Sequence, residues 1–281
     1  EKVSSYSVHP IVERIIEETS TLRSKYAGSA EIMKPEYLTF EQLADEADAV
    51  FIALHGRPGE DGAIQAKLKE VNIPFNGSEE SSARLTINKY ETNEILSKNG
   101  FLTARHALVN EEEWVADSEE VLRKLEANFP FPVIAKPMDD GCSSAVKKIN
   151  NGEEFRAFAE LMFRKTDDLD PAACDVLGIK PKEEFPIKKN ILVEELIGAN
   201  GASHFLEITG GLLTKMHTDG NVSYEVFESS EALTEGEVLS LEEKFLAGEG
   251  QNITPARYES DANKRPVSYT HLRAHETDYY L

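Results

Sequence analysis

The stretch AVFIALHGRPGEDGAIQ, residues 49–65, changes character at its middle. Residues 48–54 have the apolar content of a buried strand. His55-Gly-Arg-Pro-Gly-Glu-Asp-Gly then crowds a histidine, an arginine and two carboxylates into a tight turn, and a helical period (Ile64, Leu68, Val71) begins over 63–71. Taken alone, such a turn is a charged strand-to-helix connection. The other reading is the mouth of a site, and the rest of the sequence decides between them. Strand, turn and helix also begin a βαβ unit, and the following sequence continues the alternation. Residues 73–75 form a short strand, Asn76-Gly77 turns the chain, and residues 79–99 read as one helix closed by Gly100. FLTARHALV (101–109) returns as a strand, and EEEWVADSEEVLRKLEANF supplies the next helix.

Around Pro130 the pattern changes. FPVIAKPM and SSAVKKI are two strands joined by a glycine-containing loop, followed by a helix over 153–164. Residues 166–190 are polar, hold three prolines and read as a loop-rich insertion. The closely spaced strands ILVEELI, SHFLEIT, LLTKMHT and VSYEVFE imply an antiparallel sheet, before a Glu/Gly-rich stretch at 232–251. No repeat of fixed period occurs.

With 281 residues the chain can bury a sizeable core, and two or more α/β domains are expected. A formal net charge of -21 argues against nucleic acid and anionic membrane as partners. Two cysteines, Cys142 and Cys174, are too few and too far apart for a disulfide framework or a zinc knuckle, and suit a reducing cytoplasm. No apolar run approaches the roughly 20 residues of a membrane span, and no signal peptide opens the chain. Because Glu1 is not a start methionine, the chain is expected to begin in mid-protein. PVSYTHLRAHETDYYL (266–281) has neither helical period nor strand alternation, resembles translated adapter or vector sequence, and is set aside. An irregular native segment is the alternative.

Three further motifs carry chemistry. In VIAKPMDDGCSSAVKK, Lys136 ends an apolar strand and a loop with Gly141 and a Cys-Ser-Ser run follows, placing an ammonium beside backbone N–H groups and hydroxyls. Those are the donors a polyphosphate needs, although the lysine precedes the glycine and no P-loop is present. A plain β-hairpin is the structural alternative. In ILVEELIGANG, a strand ends in Glu194-Glu195 and passes into Leu196-Ile197, which could offer a carboxylate and backbone groups to an adenine in an apolar slot, or could be a solvated strand edge. SLEEKFLAGEGQNITPA holds Lys244 and Phe245 in a stretch suited either to closing over a substrate or to an acidic surface helix.

Their order is more informative than any one of them. The series LHGRPGEDGAIQAKLKEVNIPFNGSEESSARLTINKYETNEIL, FPVIAKPMDDGCSSAVKKI, ILVEELI and EKFLAGEGQNITPA resembles the D-alanine–D-alanine ligase family of ATP-grasp enzymes over about residues 40–258. The H-G-x-x-G-E-D-G-x-I-Q block is specific to that family, whereas the lysine-proline strand and the E-E-L-I hinge mark ATP-grasp folds generally. The resemblance implies an α/β (α+β) chain: an incomplete ATP-grasp fold preceded by a partial parallel, Rossmann-like N-terminal domain. The implied division is 1–105, 106–200 and 201–265, with the tail at 266–281. It further implies that Lys89 and Lys136 contact ATP phosphates and that the loop with Gly141, Ser143 and Ser144 closes over them. Glu194, Glu195, Leu196 and Ile197 would hold adenine. Lys244 would reach the γ phosphate or the substrate carboxylate, with Lys244 and Ser143 catalytic. His55, Glu60 and Phe245 would bind the amino acids. ATP and Mg²⁺ are the implied cofactors, D-alanine the small substrate, peptidoglycan precursor synthesis the role, and a homodimer the assembly. In the implied chemistry a carboxylate attacks the γ phosphate and displaces ADP, an amine attacks the carbonyl carbon of the resulting acyl phosphate, phosphate leaves and an amide remains, while cationic clamps and loop closure stabilise charge and exclude water.

Four departures from the family pattern stand out. Cys142 is inserted in the serine loop, and Ala145 stands near an expected glycine. Ala202 falls where a ribose-binding glutamate is expected, leaving Glu207 as a poor substitute. Phe245 replaces a tyrosine, which the family associates with hydroxy-acid acceptors such as D-lactate. The N-terminal glycine-rich turn and the C-terminal metal carboxylates are not found, so no metal ligand is assigned and this polypeptide is expected to be inactive although its parent is a ligase. Another ATP-grasp amino-acid or depsipeptide ligase, or a non-catalytic ATP-grasp-like binding module, are the alternatives.

Overall fold

The computed structural model describes residues 37–54, 56–141, 144–179, 183, 185–198, 207–217, 219–232, 252–253 and 256. Contacts group the chain into residues 1–46 and residues 47–281. In the first group the described helix is α1, Phe40–Glu46. Its start is fixed locally: Thr39 Oγ1 accepts from the Gln42 N–H at 3.2 Å, and Gln42 Oε1 accepts from the Thr39 N–H at 2.9 Å. That reciprocal cap satisfies two donors a helix start leaves open.

In the second group the turn at 56–62 feeds α2 (Ala63–Glu70), which is followed by α3 (Glu80–Ile87) and α4 (Lys89–Lys98). The strand expected over 48–54 reduces to one parallel bridge, Val50 with Phe75, supported by the Ile52 N–H donating to Asn76 Oδ1 at 2.5 Å. Phe51 is 80% and Leu54 50% exposed, so apolar composition did not mean burial here. A strand is buried by neighbours on both edges and faces, and among the described residues this one pairs along a single edge. The helix expected over 79–99 is two. Asn88 leaves helical geometry at φ -86 and ψ 94; its side chain accepts from the Glu91 N–H at 3.1 Å and donates to Glu91 Oε1 at 2.8 Å. A new cap therefore wins over continuation of the old helix.

The central sheet contains β1 (His106–Asn110), β2 (Val133–Pro137), β3 (Lys147–Ile149) and β4 (Asn190–Glu195), in the order β1-β4-β2-β3 and antiparallel throughout. The strand expected over 101–109 starts only at His106, leaving Phe101 and Leu102 exposed. Between β1 and β2 the one expected helix is again two, α5 (Glu111–Ala116) and α6 (Ser118–Asn128), separated by Asp117, whose carboxylate accepts from the Glu120 N–H at 3.0 Å. Helix α7 (Gly152–Met162) follows β3.

Strand alternation sorts the two sheet faces. Val133, Ala135, Ile149, Ile191 and Val193 share one face with Val109 and form the core with Leu122 and Leu125 of α6 and with Phe155, Phe158, Leu161 and Met162 of α7. Each fully buried phenylalanine contributes about 2–3 kcal/mol. Gly152 is needed for the close approach, since a β-carbon there would lie 2.9 Å from Leu122 Cδ2. Residues 166–190 are less loop-like than expected. They include α8 (Pro171–Leu177), capped by Asp170, and they deliver Ala173 and Phe185 to the core, Phe185 meeting Phe158 edge-on at 5.3 Å.

The later strands are antiparallel as expected but make two sheets. One is the hairpin β6 (Leu212–Met216) and β7 (Val222–Val226). The other has β5 (Glu207–Thr209), β8 (Ser230–Ala232) and β9 (Asn252–Ile253) in the order β5-β8-β9. Gly210-Gly211 separates β5 from β6 where the chain passes from one sheet to the other.

Candidate functional site

Register places Ile134, Lys136, Leu192, Glu194 and His106 on the sheet face opposite the core. Helix α4 supplies partners to that face. Asn93 Nδ2 donates to Glu194 Oε1 at 2.9 Å, Glu94 Oε1 lies 3.2 Å from His106 Nε2, and the Tyr90 ring stands edge-on to His106 at 5.5 Å. Lys136 Nζ and Glu194 Oε2 pair at 2.6 Å, with side chains only 13% and 14% exposed. Burial pushes the Glu194 carboxyl up, but the Lys136 ammonium, the Asn93 amide and nearby His106 together outweigh it and hold the group below the usual carboxylate range.

The break at Asn88 explains how Lys89 reaches the same end of the sheet. A helix's first N–H groups lack intrahelical partners, and the Lys89 N–H donates to Met138 O at 2.9 Å, two residues beyond Lys136. The Lys89 ammonium, on a side chain buried in the fold, donates to the carbonyl of Asp140. Lys89 thus contacts the residues that lead from Lys136, 47 positions later in sequence, into the glycine loop. The loop itself turns, with the Ser144 N–H donating to Gly141 O at 3.0 Å, and Ala145 follows at φ 48. The residue standing near an expected glycine therefore adopts the backbone region that favours glycine.

The opening turn is built by close approach. A β-carbon on Gly59 would lie 2.5 Å from Leu54 Cβ, and Gln65 Nε2 donates to Gly59 O at 2.7 Å. Glu60 Oε2 accepts from the Gly56 N–H at 2.8 Å. The turn also meets the loop after β2: Arg57 Nη2 donates to Asp139 Oδ2 at 2.5 Å and to Asp139 O at 3.2 Å, while a β-carbon on Gly141 would stand 3.8 Å from Glu60 Oε2.

Glu60, Lys89, Lys136, Gly141, Ser144 and Glu194 thus belong to one connected region. Glu195 alternates to the core-side face, where Arg105 holds it: Arg105 Nε donates to Glu195 Oε2 at 2.7 Å, the Arg105 N–H donates to Glu195 Oε1 at 2.8 Å, and the guanidinium lies over the Phe129 ring at 5.8 Å. Leu196 and Ile197 are half-buried just past the strand. His55, Cys142, Ser143, Ala202, Lys244, Phe245, the stretch 233–251 and the tail at 266–281 lie outside the described residues.

The sequence showed Arg57 only as one charge of the opening turn, without its partner, and did not single out Asn93, Arg105, Asp139, Asp140 or Lys188, whose ammonium bridges Asp139 and Asp140. For Asn93 a signal existed, since it stands four residues after Lys89 and therefore shares its helix face. For the others the signal is a long-range pairing that only the fold reveals.

Two ammonium groups, a glycine turn and a largely buried polar face form an arrangement suited to an anionic ligand. Comparison with known proteins bears on the family and the fold. The model of the D-ala D-ala ligase N-terminus matches residues 5–78, and that of the D-ala D-ala ligase C-terminus matches residues 95–169, together just over half of the chain. A D-alanine--D-alanine ligase of Leptospira interrogans is 28% identical over 232 residues, covering 83% of this chain and 57% of the relative. The enzyme of the same name from Maridesulfovibrio salexigens is 40% identical over 125 residues, covering 44% of this chain and 39% of the relative. Among solved structures, VanG D-Ala:D-Ser ligase from Enterococcus faecalis aligns with a TM-score of 0.51 at 21% identity, over 77% of this chain and 52% of that one, which bears on fold alone. The chain spans a little over half the length of the Leptospira relative. On these matches, and with the glycine turn and lysines placed as described, the chain belongs to the D-alanine–D-alanine ligase family and has its ATP-grasp fold.

Proposed function

We propose that the protein is an ATP-dependent carboxylate–amine ligase that joins two D-alanine molecules for peptidoglycan precursor synthesis. The observation that supports this reading is the pair of bonds from Lys89, its N–H to Met138 O and its ammonium to Asp140 O, between Lys136 and Gly141 in the chain. ATP supplies the phosphoryl group that activates the first carboxylate as an acyl phosphate. Lys89 and Lys136 hold the polyphosphate: the Lys89 ammonium exchanges a carbonyl acceptor for a phosphate oxygen, and Lys136 shares its charge between Glu194 and the ligand. The Gly141 loop, with Ser143 and Ser144, covers the phosphates and keeps water from the acyl phosphate. The segment Glu194, Glu195, Leu196 and Ile197 takes the adenine, and Glu60 with His55 shapes the amino-acid end. Lys244 and Phe245 complete the second-substrate side.

Among the described residues no group of three or more His, Cys, Asp or Glu side chains is placed to hold a metal ion, so no step is routed through Mg²⁺ on them. Among the described residues no helix is long and apolar enough to cross a membrane. A cytoplasmic homodimer, divided at about residues 105, 200 and 265, completes the proposal. Its test is phosphate release and product analysis with ATP, Mg²⁺ and D-alanine, D-serine, D-lactate or L-alanine, run on this chain and on the reading frame that contains it. D-alanyl-D-alanine formation by the reading frame supports the proposal. ATP consumption with none of these acceptors, or amide formation from L-alanine alone, contradicts it.

A further inference from the structure

The corner Asp139-Asp140, between β2 and the glycine loop, gathers cations from three separate parts of the chain. Arg57 comes from the opening turn, Lys89 from the start of α4, and Lys188 from the segment before β4. The contact of Lys188 differs in kind from the other two. Its Nζ lies 2.9 Å from Asp139 Oδ1 and 3.0 Å from Asp140 Oδ2, so one ammonium bridges both carboxylates. The side chain is 18% exposed, and its backbone is fixed where the Lys188 N–H donates to Met162 O at 2.8 Å. The backbone of the donor is therefore held at the end of α7, a part of the fold separate from the loop that its ammonium contacts.

Two adjacent carboxylates repel each other and would repel an anion bound nearby. A bridging ammonium offsets the first effect, together with Arg57 on Asp139 balances the charge behind the second, and fixes the direction in which the chain leaves Asp140 for Gly141. We propose that Lys188 is a positioning residue for the glycine loop. It anchors the Asp139-Asp140 corner, so that Met138 O and Asp140 O, the two acceptors of Lys89, hold fixed positions at the entry to the glycine loop, and together with Arg57 it balances the charge of the acid pair beside the bound polyphosphate. This rests on the nucleotide reading above for the identity of the ligand, but not for the anchoring itself.

Two measurements separate those parts. Without nucleotide, amide hydrogen exchange is compared for the wild-type chain, Lys188→Met and Lys188→Arg, reading peptides across residues 138–146 and the amide of Lys89. Lys188→Met is expected to speed exchange there on the order of tenfold while leaving α6 and α7 protected, and Lys188→Arg, which keeps a cation able to span two carboxylates, to restore protection. Unchanged exchange across 138–146 in Lys188→Met, or equal loosening of α6 and α7, overturns the inference. Titration with ATP then reads the second part. Binding weakened on the order of tenfold in Lys188→Met and regained in Lys188→Arg supports it. Equal affinity of wild type and Lys188→Met overturns the role in ligand binding. If wild type binds no ATP while the exchange pattern appears, the nucleotide reading fails and the anchor stands.

Discussion

Replacing Lys136 with methionine isolates the charge that the account places at the centre of the site. The Lys136 Nζ and Glu194 Oε2 atoms are 2.6 Å apart, and both side chains are close to nine-tenths removed from solvent. Methionine keeps most of the apolar stem and removes the ammonium, leaving Glu194 with the Asn93 amide at 2.9 Å as a remaining donor. Removing one partner of a fully buried pair costs about 3–5 kcal/mol; the retained Asn93 bond and the residual exposure place this case at about 2–3 kcal/mol. Urea unfolding followed by fluorescence is the assay, because Trp114 is the chain's single tryptophan and packs edge-on to Phe155 in the core beside the sheet. The pH dependence has a definite sign. In the wild type the folded Glu194 carboxyl lies below its ordinary range, so its contribution is present above that range and is lost as pH falls. In Lys136→Met the burial effect dominates and the carboxyl moves up, so protonation now favours the folded state. The destabilisation is therefore largest near neutral pH and shrinks through the acid carboxylate range. Adding Glu194→Gln to Lys136→Met should recover about 1 kcal/mol or more at neutral pH. A neutral-pH loss under about 0.5 kcal/mol, or one that does not shrink with acid, refutes the reasoning.

Asn88→Ala removes the cap that starts α4 and should cost about 1 kcal/mol in the same unfolding assay; no loss would mean that the cap does not set the position of Lys89. Gly59→Ala forces a β-carbon to 2.5 Å from Leu54 Cβ and 2.7 Å from the Leu54 carbonyl, and should lower stability by about 1–3 kcal/mol; a neutral result would show that the turn yields readily. Ala145→Gly sets relief of a left-handed φ, about 1 kcal/mol, against loss of a buried methyl, about 0.8 kcal/mol, so stability should stay within about 0.5 kcal/mol of wild type. A loss above about 1.5 kcal/mol would show that the methyl matters more than the backbone there.

Much of the site was legible because its chemistry is local in sequence. Lys136, the glycine after it and the Glu194 hinge lie on or beside apolar strands, and period-two burial in Val133–Pro137 gives both the core residues and the residue that faces away from them. Helix division was legible too, but it was outweighed by the surrounding helical period. Asn88 with Glu91, Asn110 with Glu113, Asp117 with Glu120 and Asn151 with Glu154 all place a capping side chain three residues before a glutamate, and each caps a helix in the structure. Reading that spacing as a stop would have split 79–99 at Asn88 and shown why Lys89 stands at a helix start. Residues 48–54 misled for the opposite reason: apolar side chains there were taken as evidence of burial, which depends on neighbours elsewhere in the chain. The counter-ions could not be read in advance. Arg57 and Asp139 are 82 residues apart and Arg105 and Glu195 90, and no local pattern specifies such pairs before the sheet order is known.

The central claim is that these residues serve a ligase that activates a carboxylate as an acyl phosphate before the amine attacks. A direct test gives the protein D-alanine labelled with ¹⁸O in its carboxylate, together with ATP and Mg²⁺, and examines the released inorganic phosphate by ³¹P NMR. The phosphate is expected to carry one labelled oxygen in step with the D-alanyl-D-alanine formed. Dipeptide accompanied by unlabelled phosphate would contradict it.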